Sequence, residues 1–147
     1  GSALNPQTVE KIYKLKKRLK DKPFIILISS LKDLDQFNIH LSKKQKEFLE
    51  KIWPNPVSVV LQNVAFRMPK DEKLLQLLKE VGPLVAPSAN IEGEKPAENI
   101  NQAKKYFGGK VAFYIIGKIQ SSPSTLIKLM TDGSYKILRQ GSYKLIS

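Results

Sequence analysis

Four short apolar runs, each cut off by breakers or turn residues, constrain this chain more than any other feature. They are "FIILI" (Phe24–Ile28), "VSVVL" (Val57–Leu61), "VAFRM" (Val64–Met68) and "LVA" (Leu84–Ala86). Runs this short read as buried strands rather than helices. Between them lie segments with helical spacing. Asn5-Pro6 supplies an N-cap and a proline at the first helical position. Val9, Ile12, Tyr13 and Leu19 then form an apolar stripe, while Lys11, Lys14, Lys17 and Lys20 point largely elsewhere. Ser30–Phe37 reads as a short helix or turn. Ser42 opens another helix with Gln45 at the capping-box position and Phe48, Leu49 and Ile52 inside, and "WPNP" stops it. Asp71–Val81 is amphipathic, with Leu74, Leu75, Leu77 and Leu78 expected inside and Gly82 closing it. A helix from about Glu98 to Phe107 ends at Gly108-Gly109. "VAFYII" (Val111–Ile116) reads as a strand, and Ser124–Met130 and Ser134–Leu138 as a hairpin around Asp132-Gly133. Interleaved helices and strands without repeats or an internal linker predict one α/β domain over residues 1–147, with a mixed, twisted sheet.

Composition narrows the chemistry. The chain has no cysteine, which excludes disulfides, thiolate catalysis and Cys-ligated zinc and fits a cytoplasmic compartment. Its one histidine, His40, has no carboxylate cluster beside it and reads as a surface residue rather than a triad or metal ligand. Gly108-Gly109-Lys110 is followed by Val111, so it is a helix stop and not a phosphate-binding loop. No dinucleotide fingerprint is present, and no apolar run approaches the length of a membrane span. The 25 Lys and Arg against 13 acids give a net charge of +12, which predicts attraction to polyanions. What remains for chemistry is Lys, Arg, Ser, Thr and Asn. That inventory suits phosphoryl or nucleotidyl transfer, where positioning and charge stabilisation dominate.

Five polar positions at element ends stand out. In "GPLVAPSANIEGEKP" (Gly82–Pro96) a short strand runs directly into Ser88 and Asn90, where an α/β sheet would hold a ligand. Both are also ordinary turn and N-cap residues. Lys11 to Lys22 holds seven basic residues and one acid, Asp21, which alone would read as a solvated helix face. Lys16 and Arg18 are two apart, however, and a continuing helix would aim them at different sides. If they serve one ligand, the helix must end near Lys17. Arg67 sits in an apolar strand, either facing outward at an edge or facing a ligand. Ser124-Thr125 and Arg139-Gln140-Gly141 mark the start of one strand and the end of another.

Taken together, "KLKKRLKDKPFIIL", "WPNPVSVVL", "VAFRMP", "GPLVAPSAN", "PSTLIKL" and "ILRQG" occur in the order and spacing of the YrdC domain, so the chain resembles the TsaC-type threonylcarbamoyl-AMP synthases over nearly its whole length. The resemblance implies a twisted sheet with flanking helices around a large basic concave cavity. It implies that threonine and bicarbonate form a carbamate whose oxygen attacks the α-phosphate of ATP and expels pyrophosphate, with Mg²⁺ present. The product would feed the downstream tRNA threonylcarbamoyl transferase machinery. Carried over residue by residue, Lys16 and Arg18 match K-x-R and would act on the phosphates and the carbamate. Lys22, Ser88, Asn90 and Arg139 would join Arg18 in holding ATP. Arg67, the backbone at Ala86 and the Ser124 hydroxyl would hold threonine.

The chain also departs from the family pattern. Asn55 and Ser58 stand where relatives carry Gly and Thr, and an asparagine would tolerate the left-handed backbone of that glycine. Leu27 replaces a histidine of several relatives and Pro96 a serine of some. A P-T-D-T-x-Y-G-L segment, which precedes the "ALNP" helix in relatives, is not found ahead of it here, so residues 1–147 are expected to lack that strand and to be poorly active. Two other readings compete with the synthase. One is a non-catalytic module binding double-stranded RNA or tRNA weakly and without sequence preference. The other is a carbamoyl-adenylate domain of the kind found in hydrogenase maturation carbamoyltransferases.

Overall fold

Six short strands join into one mixed sheet in the spatial order β4-β1-β3-β2-β5-β6. The computed structural model describes residues 1–117 and 122–145. The strands are β1 (Ile25–Leu27), β2 (Val57–Leu61), β3 (Val64–Arg67), β4 (Leu84–Val85), β5 (Thr125–Leu129) and β6 (Tyr135–Arg139). Around them lie α1 (Pro6–Lys16), α2 (Lys43–Ile52), α3 (Glu72–Val81) and α4 (Ile100–Phe107), with 3-10 helices at Leu31–Phe37 and Gly108–Lys110. β1 runs parallel to β3, and β2 runs parallel to β5. The other ladders are antiparallel. Gly1–Ala3 lies along the outer side of β4, with Ser2 bridging Leu84 and the Val85 N–H donating to the Gly1 carbonyl at 2.8 Å.

Register assigns each strand residue to a face. One row of paired residues crosses the sheet as Val85, Ile26, Phe66, Val59 and Ile127, and all are buried. Ile26, Phe66, Val59 and Ile127 pack into one cluster with Leu34 of the first 3-10 helix and with Leu49 and Ile52 of α2. Phe66 and Leu49 are fully enclosed there, so truncating Phe66 to alanine would cost about 3–5 kcal/mol. The neighbouring row turns to the opposite face and is partly buried at Leu84, Leu27, Arg67 and Leu126, with Ser58 fully buried between the last two. Short strands that alternate one enclosed and one half-open row therefore leave the second face free to carry polar groups.

The caps form from the residues that the sequence offers. Asn5 Oδ1 accepts from the Thr8 N–H at 3.0 Å, Ser42 and Gln45 form the reciprocal capping box, and Asp71 Oδ1 accepts from the Leu74 N–H at 2.8 Å. Gly82 and Gly108 take positive φ at helix ends, as only glycine does at little cost. Asp132 accepts from the Ser134 N–H and hydroxyl inside the β5–β6 turn.

Four expectations are corrected. Val111–Ile116 forms no strand: the segment joins no ladder among the described strands, and Phe113, Ile115 and Ile116 are 73–82% exposed. An apolar run specifies a strand only where a ladder edge is available to it, which periodicity does not encode. Leu19 is exposed because α1 ends before it, and half-buried Leu15 carries the stripe instead. In α3 the apolar face centres on Leu78, the one fully buried leucine; Leu77, about 100° round the helix, lies on its rim. Asn55 does not adopt the left-handed backbone. It closes the turn by donating from its side chain to the Ile52 carbonyl at 2.8 Å and to the Tyr143 hydroxyl at 3.3 Å.

Candidate functional site

The last turn of α1 decides how its basic residues are used. Lys17 takes φ 52, the left-handed region, and its N–H and that of Arg18 donate back to the Lys14 and Tyr13 carbonyls. The helix stops there. Lys16 and Arg18 consequently reach the same loop although they are two residues apart, which is the condition that the sequence set for a shared ligand.

That loop is the stretch after β4. Lys16 is 3% exposed, and its ammonium donates to the Ser88 carbonyl at 2.5 Å, the Asn90 carbonyl at 2.5 Å and Asn90 Oδ1 at 3.0 Å. All three ammonium protons are used. Burial lowers its pKa, the charge of Arg18 lowers it further, and Glu92 works in the opposite direction. The Ser88 hydroxyl donates to Asn90 Oδ1 at 2.6 Å, and Asn90 Nδ2 donates to the Glu94 carbonyl at 2.7 Å. Each polar group of the S-x-N pair is thus oriented before any ligand is considered.

Arg18 and Lys22 close the lattice through an acid. Arg18 Nη1 lies 2.9 Å from Glu92 Oε2 and Lys22 Nζ 3.0 Å from Glu92 Oε1. Arg18 Nε donates to the Lys22 carbonyl at 2.9 Å, and its guanidinium carbon stands 5.3 Å from the centre of the Phe24 ring. Tyr13 also packs against that ring, with centroids 4.2 Å apart. The hydrogen bond from Lys22 is the largest influence on the Glu92 carboxyl and lowers its pKa; burial opposes it, and the hydrogen bond and charge of Arg18 add to the lowering. Glu92 escaped the reading of the sequence. Its signal was an acid two residues beyond Asn90 in a chain whose Lys11–Lys22 stretch holds seven basic residues.

A second group of polar side chains sits on the half-open face. Arg67 ends β3 opposite Leu27, and Ser58, Leu126 and Arg139 follow at the same level of the sheet. Arg67 is half-buried, and its Nε is enclosed with no hydrogen-bond partner among the described residues. Burial lowers its pKa, but a guanidinium stays charged at any physiological pH. An enclosed donor without an acceptor is uncommon and costly, and here it belongs to a cation that makes no ion pair among the described residues. The arrangement suits a small carboxylate.

Ser124 is buried, and its hydroxyl lies 2.8 Å from that of Ser58. Arg139 is exposed and donates from Nη2 to the Ser124 carbonyl at 3.0 Å. The backbone behind them is tightly fixed: a Cβ on Gly141 would fall 2.4 Å from the Pro123 oxygen and 2.4 Å from the Ser124 carbonyl carbon. Only glycine fits. Ala86 continues from β4, with its N–H donating to the Ile25 carbonyl at 3.2 Å. The structure therefore gathers Lys16, Arg18, Lys22, Ser88 and Asn90 in one lattice and sets Arg67, Ser124 and Arg139 along the end of the sheet. Exposed His40 belongs to neither group.

Three comparisons bear on this arrangement. Residues 1–141 match the Sua5/YciO/YrdC family model, described as telomere recombination. The chain is 30% identical over 146 residues to a putative threonylcarbamoyl-AMP synthase of Methanocaldococcus jannaschii, covering 90% of this chain and 69% of that protein. It is 29% identical to the threonylcarbamoyl-AMP synthase of Cellvibrio japonicus, covering 89% of this chain and 80% of the relative. Among solved structures it is similar to Pyrococcus abyssi Sua5 complexed with L-threonine, with a TM-score of 0.81 and 28% identity over 96% of this chain. The chain spans 46% of that Sua5 chain. Escherichia coli YciO shares the fold, at a TM-score of 0.78 and 16% identity. Family model, relatives and solved folds agree over nearly the full length, and the chain belongs to the Sua5/YciO/YrdC family.

Proposed function

We propose that this domain is an L-threonylcarbamoyladenylate synthase, using L-threonine, bicarbonate and ATP in the cytoplasm to supply tRNA threonylcarbamoyladenosine modification. The observation that carries the reading is the enclosed Nε of Arg67, which has no partner among the described residues, on the half-open face of the sheet. A guanidinium in that state is a receptor for the α-carboxylate of an amino acid, and the similar Pyrococcus abyssi Sua5 was solved with L-threonine.

In this reading the half-open face is the floor of a basic cavity. Arg67 holds the threonine carboxylate, and the Ala86 backbone and the Ser124 hydroxyl fix the rest of the amino acid. The threonine amine and bicarbonate condense to a carbamate with loss of water. One carbamate oxygen attacks the α-phosphorus of ATP, the bond from that phosphorus to the bridging oxygen breaks, and pyrophosphate leaves. Arg18 and Lys22 offset charge on the triphosphate, with Ser88, Asn90 and Arg139 holding the nucleotide. Lys16 acts through the loop that it orients. Among the described residues no three His, Cys, Asp or Glu side chains gather into a metal-binding group. Magnesium would arrive with the triphosphate as part of the substrate, held mainly by phosphate oxygens.

The test is ATP–pyrophosphate exchange that depends on both threonine and bicarbonate. Exchange that needs neither would remove the synthase reading. The alternative of a non-catalytic module binding double-stranded RNA draws support from the +12 charge and from exposed Lys11, Lys14, Lys17 and Lys20. RNA binding without threonine-dependent exchange would favour it.

A further inference from the structure

We infer that Glu92 is an internal competitor for the anion site of Arg18 and Lys22, a carboxylate that a phosphate ligand must displace and that sets how tightly such ligands bind. The inference rests on the reading of this lattice as the phosphate site. Glu92 places one carboxylate oxygen on each cation, at 2.9 Å from Arg18 Nη1 and 3.0 Å from Lys22 Nζ. A bridging carboxylate of this kind makes the contacts that two phosphate oxygens would make.

Backbone geometry fixes the competitor independently of its charge. The Glu92 N–H donates to the Lys16 carbonyl at 2.7 Å, so the residue is carried to this spot by the chain itself. Arg18 is also held without Glu92: its Nε bonds the Lys22 carbonyl and its plane lies by the Phe24 ring. Removing the carboxylate thus leaves the guanidinium in place with its outer nitrogens free. Both partners remain reachable, since the Arg18 and Glu92 side chains are 25% and 28% exposed. A contact only latching the loop could be buried and inert, whereas this one lies where a ligand can exchange with it. The consequence is a threshold. Weakly binding anions gain too little to replace the carboxylate and stay out, while a triphosphate making several contacts still enters.

The experiment is calorimetric titration of the full 147-residue chain with inorganic tripolyphosphate, comparing wild type with Glu92→Gln. Glu92→Gln keeps the shape and removes the charge, so tripolyphosphate is expected to bind roughly two- to fivefold tighter, the scale of a partly exposed ion pair. Arg18→Ala is expected to cost more affinity in the Glu92→Gln background than in wild type, because the competitor no longer masks Arg18. Equal or weaker tripolyphosphate binding by Glu92→Gln overturns the inference. Should that variant fold poorly, the wild type decides: the carboxyl carbon resonance of Glu92 must shift as tripolyphosphate saturates the protein, and an unmoved resonance overturns the inference. Tripolyphosphate contains neither threonine nor adenosine, so a domain that binds it as described but shows no threonine-dependent exchange would lose the synthase reading and keep this one.

Discussion

The Lys16 ammonium donates to the Asn90 carbonyl at 2.5 Å, so the last residue of α1 carries the loop that follows β4. Two segments 74 positions apart meet at this buried cation, and the Arg18 and Lys22 contacts to Glu92 complete the lattice. Replacing Lys16 with methionine keeps the apolar stem and strands three acceptor oxygens. A loss of about 2–3 kcal/mol is expected, or roughly 5–10 °C in melting temperature. Thermal denaturation of the variant checks it, and a melting temperature within 2 °C of wild type would contradict the role given to Lys16.

Arg67 should show the opposite balance of stability and function. Its enclosed Nε has no partner among the described residues, so Arg67→Met is expected to leave stability unchanged or to raise it, because an unpaired buried charge is removed. The same change should weaken threonine binding roughly ten- to a hundredfold, the scale of about 1.5–3 kcal/mol for a charge-assisted hydrogen bond. Calorimetry with threonine and a melting curve on one sample read both. Unchanged threonine affinity would refute the carboxylate assignment.

Arg18→Ala is expected to weaken ATP binding at low ionic strength, and the deficit should shrink as salt rises because screening already removes much of the attraction. Titrations at about 20 mM and 300 mM salt compare the two. A deficit independent of salt would mean that Arg18 acts through packing on Phe24 instead.

Gly141→Ala tests the backbone behind Ser124 and Arg139. Its Cβ would meet backbone atoms of Pro123 and Ser124 at 2.4 Å, and backbone yields less readily than a flexible side chain. About 1–3 kcal/mol of destabilisation is expected. A variant as stable as wild type in urea would show that the turn after β6 shifts freely.

Acid should weaken the Glu92 contact with a definite sign. Its carboxyl pKa is lowered from the ordinary value of 4.5 by Lys22 and Arg18, so the folded state binds that proton less readily than the unfolded state does. The contribution is present above pH 4.5 and disappears as pH falls through the lower folded value. The melting-temperature difference between wild type and Glu92→Gln should therefore be positive at neutral pH and shrink below pH 4.5. A difference that grows on acidification would contradict the ion pair.

Local chemistry was legible in the sequence by itself. Asn5, Ser42, Asp71, Gly82 and Gly108 fixed helix ends, because a cap or a positive φ is satisfied within a few residues. Short apolar runs announced β1 to β4, and the spacing of Lys16 and Arg18 required α1 to stop near Lys17 only if both served one ligand. The polar residues of the lattice and the strand arginine stood out by type and position. Only the tertiary structure decided what meets what. Lys16 with Ser88 and Asn90, Glu92 with Arg18, and Ser58 with Ser124 are partners separated by 66 to 74 residues. Pairing at that range depends on register and on where loops return, and no local pattern records either. The same reason explains Val111–Ile116, whose apolar residues promised a strand while no described strand pairs with them. A strand is a property of two segments, and the sequence of one of them determines only half of it.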